Sequence, residues 1–252
     1  VLQAWYSGQE EGNALAALLF GDVSPSGKLP VTFGYKHSDF PASTPERYGK
    51  DKSEYSEGVL VGYRWFEKEG IQPLFPFGHG LSYSSFEYSD LDLSTDVIKG
   101  EEKVTIRYSV KNTGTMRAGE VSQLYIQDNE ASVVRPIKEL KAFSKTFLEP
   151  GESKVVRHVI TAHDLAFWDE KNSAWKVEKG AFTLHVGASL TDIRRTAVLT
   201  SKNDILLKNK IYQKTQYKPT EKWLSDSTWD KLKTTIVKKE DDGSTVIKVG
   251  AK

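Results

Sequence analysis

"KVTIRYSVKNTGTMRAGEVSQLYIQD", residues 103–128, alternates apolar and polar side chains, breaks at Asn112-Thr113-Gly114, and resumes its alternation to Asp128. Val104, Ile106, Tyr108 and Val110 recur every second residue, the period that places one face of a β-strand against a core. The Asn-Thr-Gly break supplies turn chemistry between two such runs.

Outward from this pair, the same signal repeats in "FEYSDLDLS" (86–94), "IKELKAFSKTFL" (137–148), "SKVVRHVI" (153–160), "AFTLHVGAS" (181–189) and "RRTAVLTS" (194–201). Turns at Glu149-Pro150-Gly151 and at Asp169-Glu170-Lys171-Asn172 separate them, and no long helical period intervenes. Seven short strands in this order predict a mainly β fold, an antiparallel Greek-key sandwich of the immunoglobulin-like type over residues 85–200. The chain has no cysteine, so the fibronectin type III branch is favoured over the disulfide-bonded one.

Composition removes several function classes. Thirty-five Lys and Arg against thirty-four Asp and Glu leave no general field for nucleic acid or an anionic membrane. No apolar run reaches the ~20 residues of a membrane-spanning helix. Without cysteine there is neither a disulfide framework nor a thiolate zinc site, and the compartment, secreted or cytoplasmic, stays open. His37, His79, His158, His163 and His185 show no ligand spacing, so no metal or cofactor is expected.

The first 33 residues read differently. "GNALAALLF" places Ala14, Leu15, Leu18 and Leu19 on one helical face, Gly21-Asp22 and a Pro-Ser-Gly turn stop it, and "KLPVTF" (28–33) reads as a following strand. One helix and one strand cannot bury a sheet, so 1–33 is expected to be the C-terminal remnant of an α/β domain in a chain that is a fragment, with Leu15, Leu18, Leu19 and Val31 short of partners. Residues 34–84 show no sustained helical period and read as an extended, aromatic-rich connection. In it, Glu57 is placed to accept a hydrogen bond from the Arg64 guanidinium. Tyr63, Trp65, Phe66 and Phe77 seal the junction, and His79 sits between Gly78 and Gly80 as a packed ring. Glu46, Asp51 and Glu54 read as solvated loop charges. Residues 201–252 carry no motif apart from two β-branched runs around Glu240-Asp241-Asp242-Gly243, which predict a hairpin at 234–249.

"GNALAALLFGDVSPSGKLPVTF", "YSEGVLVGYRWFEKEGIQPLFPFGHGLSYSSFEYSDL", "VKNTGTMRAGEVSQLYI", "RPIKELKAFSKTFLEPGES" and "LAFWDEKNSAWKVEKGAFTLHVGASLTDIR" together resemble, in order and spacing, consecutive blocks of glycoside hydrolase family 3 enzymes of the β-glucosidase type. The resemblance covers Val1 to about Thr200. It implies that upstream barrel and α/β domains of the same protein are the partners of this segment, and that a β-glucoside or oligosaccharide is the substrate, reached through them. Such retaining enzymes use a carboxylate nucleophile and a carboxylic acid roughly 5 to 5.5 Å apart. The family's nucleophile lies in the barrel, in a Ser-Asp-Trp type motif, and its acid/base Glu lies upstream of the block that Val1 begins. No catalytic residue is therefore expected in this chain, which alone is predicted to be inactive. Ser225-Asp226-Ser227 departs from the barrel motif and lacks its preceding strand. A non-catalytic β-sandwich module, stabilising a domain or binding carbohydrate, is the alternative reading.

Overall fold

The structure, a computed structural model, describes residues 1–43, 47, 53–207, 236–239 and 245–248. Glu46, Asp51 and the Ser225-Asp226-Ser227 stretch lie outside these residues.

The seven expected runs are seven strands. β1 (Phe86–Leu93), β3 (Val104–Asn112) and β6 (Ser153–Ile160) form one antiparallel sheet in the order β1-β3-β6. β4 (Ala118–Asp128), β5 (Glu139–Leu148), β9 (Gly180–Gly187) and β10 (Ile193–Ser201) form the second, which β2 (Val97–Ile98) extends in parallel to β10, in the order β2-β10-β9-β4-β5. β3 shows why alternation was a sound guide: Val104, Ile106, Tyr108 and Val110 are buried and the residues between them are not. They meet Leu124 and Ile126 of β4 and Phe182, Leu184 and Val186 of β9 in a single core.

Asn112, whose break separates β3 from β4, is fully buried. Its amide nitrogen donates to the carbonyls of Met116 (2.8 Å) and Leu148 (3.0 Å), and its oxygen accepts from the Ser84 hydroxyl (2.6 Å) and the Gly114 N–H (3.0 Å). Every polar valence of the side chain is thus used, and the turn is fixed from inside.

A third, small sheet adds elements that alternation did not mark. β7 (Phe167–Asp169) and β8 (Ala174–Val177) flank the expected turn at 169–172 as a hairpin, after the one-turn helix α3 (Ala162–Leu165), and β11 (Ile205–Leu207) pairs with β8. Leu207, past residue 200, is buried in the sandwich core.

Ahead of the sandwich, α1 spans Glu11–Leu19. Two expectations for this part are corrected. "KLPVTF" forms no strand but a single bridge, Phe33 to Phe75, because Pro30 removes a ladder donor and the facing segment is itself kinked. The connection at 34–84 is not extended throughout: it holds the helix α2, Tyr63–Lys68, and two short 3-10 turns at His37–Asp39 and Pro41–Ser43. Considered by itself, the region from 210 to 252 contains an antiparallel hairpin, β12 (Ile236–Lys239) with β13 (Thr245–Lys248).

Candidate functional site

Of the residues singled out in the connection, Tyr63, Arg64 and Phe77 meet β4 and β5. The helix that brings Tyr63 and Arg64 there is short and sharply bounded. Gly62 enters it at φ +57° and Gly70 leaves it at φ +66°. The Ile71 N–H bonds the Phe66 carbonyl (2.8 Å) and the Gly70 N–H bonds that of Glu67 (3.3 Å), the paired closure of a Schellman C-terminus.

In the first turn Tyr63 stacks on Phe77 at 4.5 Å and meets Tyr125 edge-on at 6.4 Å. Its hydroxyl accepts the Leu140 N–H at 3.0 Å. Arg64 pairs with Glu139 at 3.0 Å and Glu67 with Lys138 at 2.7 Å. The expected Glu57–Arg64 bond is absent: the helix turns Arg64 towards β5, where Glu139 takes it, and Oε2 of Glu57 is buried without a hydrogen bond. The buried ring is Phe66, 2% exposed and edge-on to Phe40 at 5.1 Å, while Trp65 is half-buried under the Arg47 guanidinium.

A second set of contacts joins the turn at 24–33 to the segment at 75–83. The Leu29 N–H bonds the His79 carbonyl and the Gly78 N–H bonds the Leu29 carbonyl, both at 2.8 Å, and the Phe33 N–H bonds the Phe75 carbonyl at 2.9 Å. His79 stacks on Phe75 at 5.4 Å. The two glycines beside it have different reasons. Gly78 stands at φ +77°, and a Cβ there would also run into the Gln123 amide, whereas a Cβ on Gly80 would strike the Gly27 carbonyl. Gln123, buried on β4, donates to the carbonyls of Gly78 (3.1 Å) and Ala188 (2.8 Å) and accepts from the Tyr125 hydroxyl (2.5 Å). Burial, followed by the fields of Tyr63 and Glu67, pushes the Tyr125 phenol well above its ordinary value, so it remains a neutral donor. Lys28 reaches over this seam to Glu120 at 3.4 Å.

Sequence reasoning missed Lys28, Glu67, Glu120, Gln123, Lys138 and Glu139, because each is a polar residue whose partner is remote in sequence. The one available signal was a charged residue, Glu120 or Glu139, at the start of a strand otherwise bound for a core.

Burial pushes the Glu139 carboxyl up, but Lys141, Arg64 and Arg135 outweigh it and hold the group below its ordinary value. In Glu178, burial is likewise overcome, by the Ser132 hydroxyl and N–H and by Lys176. Among the described residues every carboxylate with a resolved shift, Asp90, Glu139, Glu152, Asp169, Glu178 and Asp204, is shifted downward. Among the same residues no group of three His, Cys, Asp or Glu is placed to hold a metal ion, and no helix is long and apolar enough to cross a membrane.

On the far side of the seam the N-terminal segment is open. α1 has no buried residue; of the four apolar residues expected to lack partners Leu19 and Val31 are exposed but Leu15 and Leu18 are half-buried, and Trp5, Tyr6, Phe20 and Val23 are exposed as well. Such a run of large apolar side chains marks an interaction surface.

Comparison with known proteins finds two family models. The glycosyl hydrolase family 3 C-terminal domain matches residues 1–83, and a fibronectin type III-like domain matches residues 120–190. The chain is 44% identical over 200 residues to beta-glucosidase BoGH3A of Bacteroides ovatus, covering 78% of the chain and 27% of that protein. It is 45% identical over 193 residues to thermostable beta-glucosidase B of Acetivibrio thermocellus, covering 77% and 26% respectively. Among solved structures, a beta-glucosidase from Kluyveromyces marxianus superposes with a TM-score of 0.76 at 38% identity over 81% of the chain and 25% of its own. Beta-glucosidase 3B from Thermotoga neapolitana, in complex with α-D-glucose, gives 0.73 at 40% identity over 81% and 28%. The chain therefore spans about a quarter of the length of the relatives it matches.

Proposed function

We propose, from the premise that this chain belongs to glycoside hydrolase family 3 and carries its C-terminal domain and fibronectin type III-like domain, that it serves a β-glucosidase. The reaction would be retaining hydrolysis of terminal β-D-glucosyl or similar residues, with both catalytic carboxylates supplied by barrel and α/β domains outside this chain. The observation that carries the reading is the collinear match to beta-glucosidases across both domains. The chain's own part is structural: Tyr63, Arg64 and Phe77 hold the 1–83 segment on the sandwich, and the exposed Trp5, Tyr6, Leu19 and Phe20 of the N-terminal segment receive the remainder of the α/β layer.

Aryl β-glucoside hydrolysis tests it in two arms. The isolated 252-residue chain is expected to show no turnover above background, and the full-length protein containing it to turn over. Activity in the isolated chain that disappears on replacing one of its carboxylates would overturn the placement of the chemistry. An inactive full-length protein would overturn the substrate class.

A further inference from the structure

Glu120 lies where the sandwich alone cannot satisfy it. It is 4% exposed, on the face of β4 that looks across to β1 and β3. The Tyr88 hydroxyl donates to its Oε1 at 2.7 Å, and one step along, the Tyr108 hydroxyl donates to Ser122 at 2.7 Å. The two sheets are thus joined by polar contacts at this end, and one of the groups is a carboxylate. A hydroxyl does not neutralise a buried charge.

The cation comes from outside the sandwich. Lys28 Nζ stands 3.4 Å from Oε2 of Glu120, its side chain 11% exposed, and donates to the Gly80 carbonyl at 2.9 Å. Arg194 of β10 also lies within the field of Glu120, but its guanidinium is held by both oxygens of Asp192, at 2.5 and 2.8 Å. The charged and titratable groups facing Glu120 are therefore Lys28 from the 24–33 turn, Tyr88 from β1, Tyr108 from β3 and Arg194 from β10.

We infer that Lys28 is the cationic plug of the sandwich's buried Glu120, so that the sandwich is complete only with the 1–83 segment docked and fixes the position of the 24–33 turn. This goes beyond the proposed activity and does not depend on it. A buried pair of this kind contributes little against an apolar replacement of both partners, yet loss of one partner is severe because a bare charge remains. The pair therefore acts as a docking device whose value lies in orientation.

The test is equilibrium unfolding of the 252-residue chain as wild type, Lys28→Met, Glu120→Gln and the double variant. Lys28→Met is expected to lower the folded-to-unfolded ratio by about two orders of magnitude at pH 8. The double variant, in which Gln still accepts from Tyr88, is expected to regain most of it. If Lys28→Met does not fold, recovery of folded protein by adding Glu120→Gln supports the plug. Additive losses, or a double variant no better than Lys28→Met, would overturn it.

Discussion

His158 projects from β6 to the Tyr108 hydroxyl, with Nε2 at 3.0 Å, and burial lowers its pKa from the ordinary 6.5. His185 on β9, 3.1 Å from the Gln127 side-chain oxygen, is lowered by burial and then by Lys138. A histidine that resists protonation in the fold takes up its proton more readily when unfolded. Stability is then complete above about pH 6.5 and declines as pH falls towards the folded pKa. Chemical unfolding at pH 7.5 and 5.5 is expected to show a lower midpoint at 5.5, and His158→Gln to reduce that difference. The depressed carboxylates do not confuse this window, because their contribution is lost only below their ordinary range near 4.5. An equal pH effect in wild type and variant would show that His158 titrates as an exposed group. The rings of the connection give a second test at this scale. Composition marked "YRWF" as its attachment, but only the helical phase of α2 decides which ring is buried. Phe66→Ala should cost about 3 to 5 kcal/mol, and Trp65→Ala less, because its ring is only half-buried. Thermal melts that rank the two the other way would place α2 in a different rotation.

At the scale of elements, α2 is held less by its own propensity than by what it meets on β5. A six-residue helix is far below the length that is stable alone. Its Tyr63, Arg64 and Glu67 engage three successive residues, Leu140, Glu139 and Lys138. Glu139 is the hub, since Arg135 and Lys141 also reach it, at 3.5 and 3.3 Å. Glu139→Gln should destabilise the chain by about 1 to 2 kcal/mol, the range for losing a charge-assisted bond at a partly exposed site, with a smaller loss at 1 M salt. A loss that salt does not change would mean that hydrogen-bond geometry, not charge, holds the helix. The strands were legible because alternation is a local property, strict in β3 and looser in β4, where Leu124, Tyr125 and Ile126 are buried in succession. The 63–68 helix was not, since it is too short to show a period and its Gly62 and Gly70 boundaries resemble ordinary turns. "KLPVTF" misled for the converse reason. Its pattern suits a strand, but its backbone spends its hydrogen bonds on Phe75 and His79, around Pro76 and Gly78, where no regular ladder can run.

At the scale of the whole molecule, the sandwich looks self-sufficient from its sequence, with seven strands that bury one another and an N-terminal segment lacking sheet partners. That picture places the edge of a protease-resistant core near Ser82 to Tyr88. The contacts move it. The 24–33 turn is tied down by the Leu29–His79 and Phe33–Phe75 backbone bonds, by Ser24, whose hydroxyl meets that of Ser82 at 2.8 Å, and by Lys28 on Glu120. Before it, α1 has no buried residue, and among its links to the rest is a single side-chain bond from the Tyr83 hydroxyl to the Leu18 carbonyl at 2.9 Å. Backbone opening tracks local burial and tertiary bonding. Chymotrypsin, which has Trp5, Tyr6, Leu15, Leu18, Leu19 and Phe20 available before the first lysine, is therefore expected to trim the isolated chain to a core beginning between Gly21 and Ser24. The Lys28→Met variant should lose the 24–33 turn to the same digestion faster than wild type, because its charged tie to Glu120 is gone while the backbone bonds remain. A wild-type core that begins at Ser82 or later would mean that the junction opens freely and that the two domains are joined only by chain. Residues 1–20 that resist digestion as well as the sandwich does would mean that α1 is stable without any further domain against its apolar face.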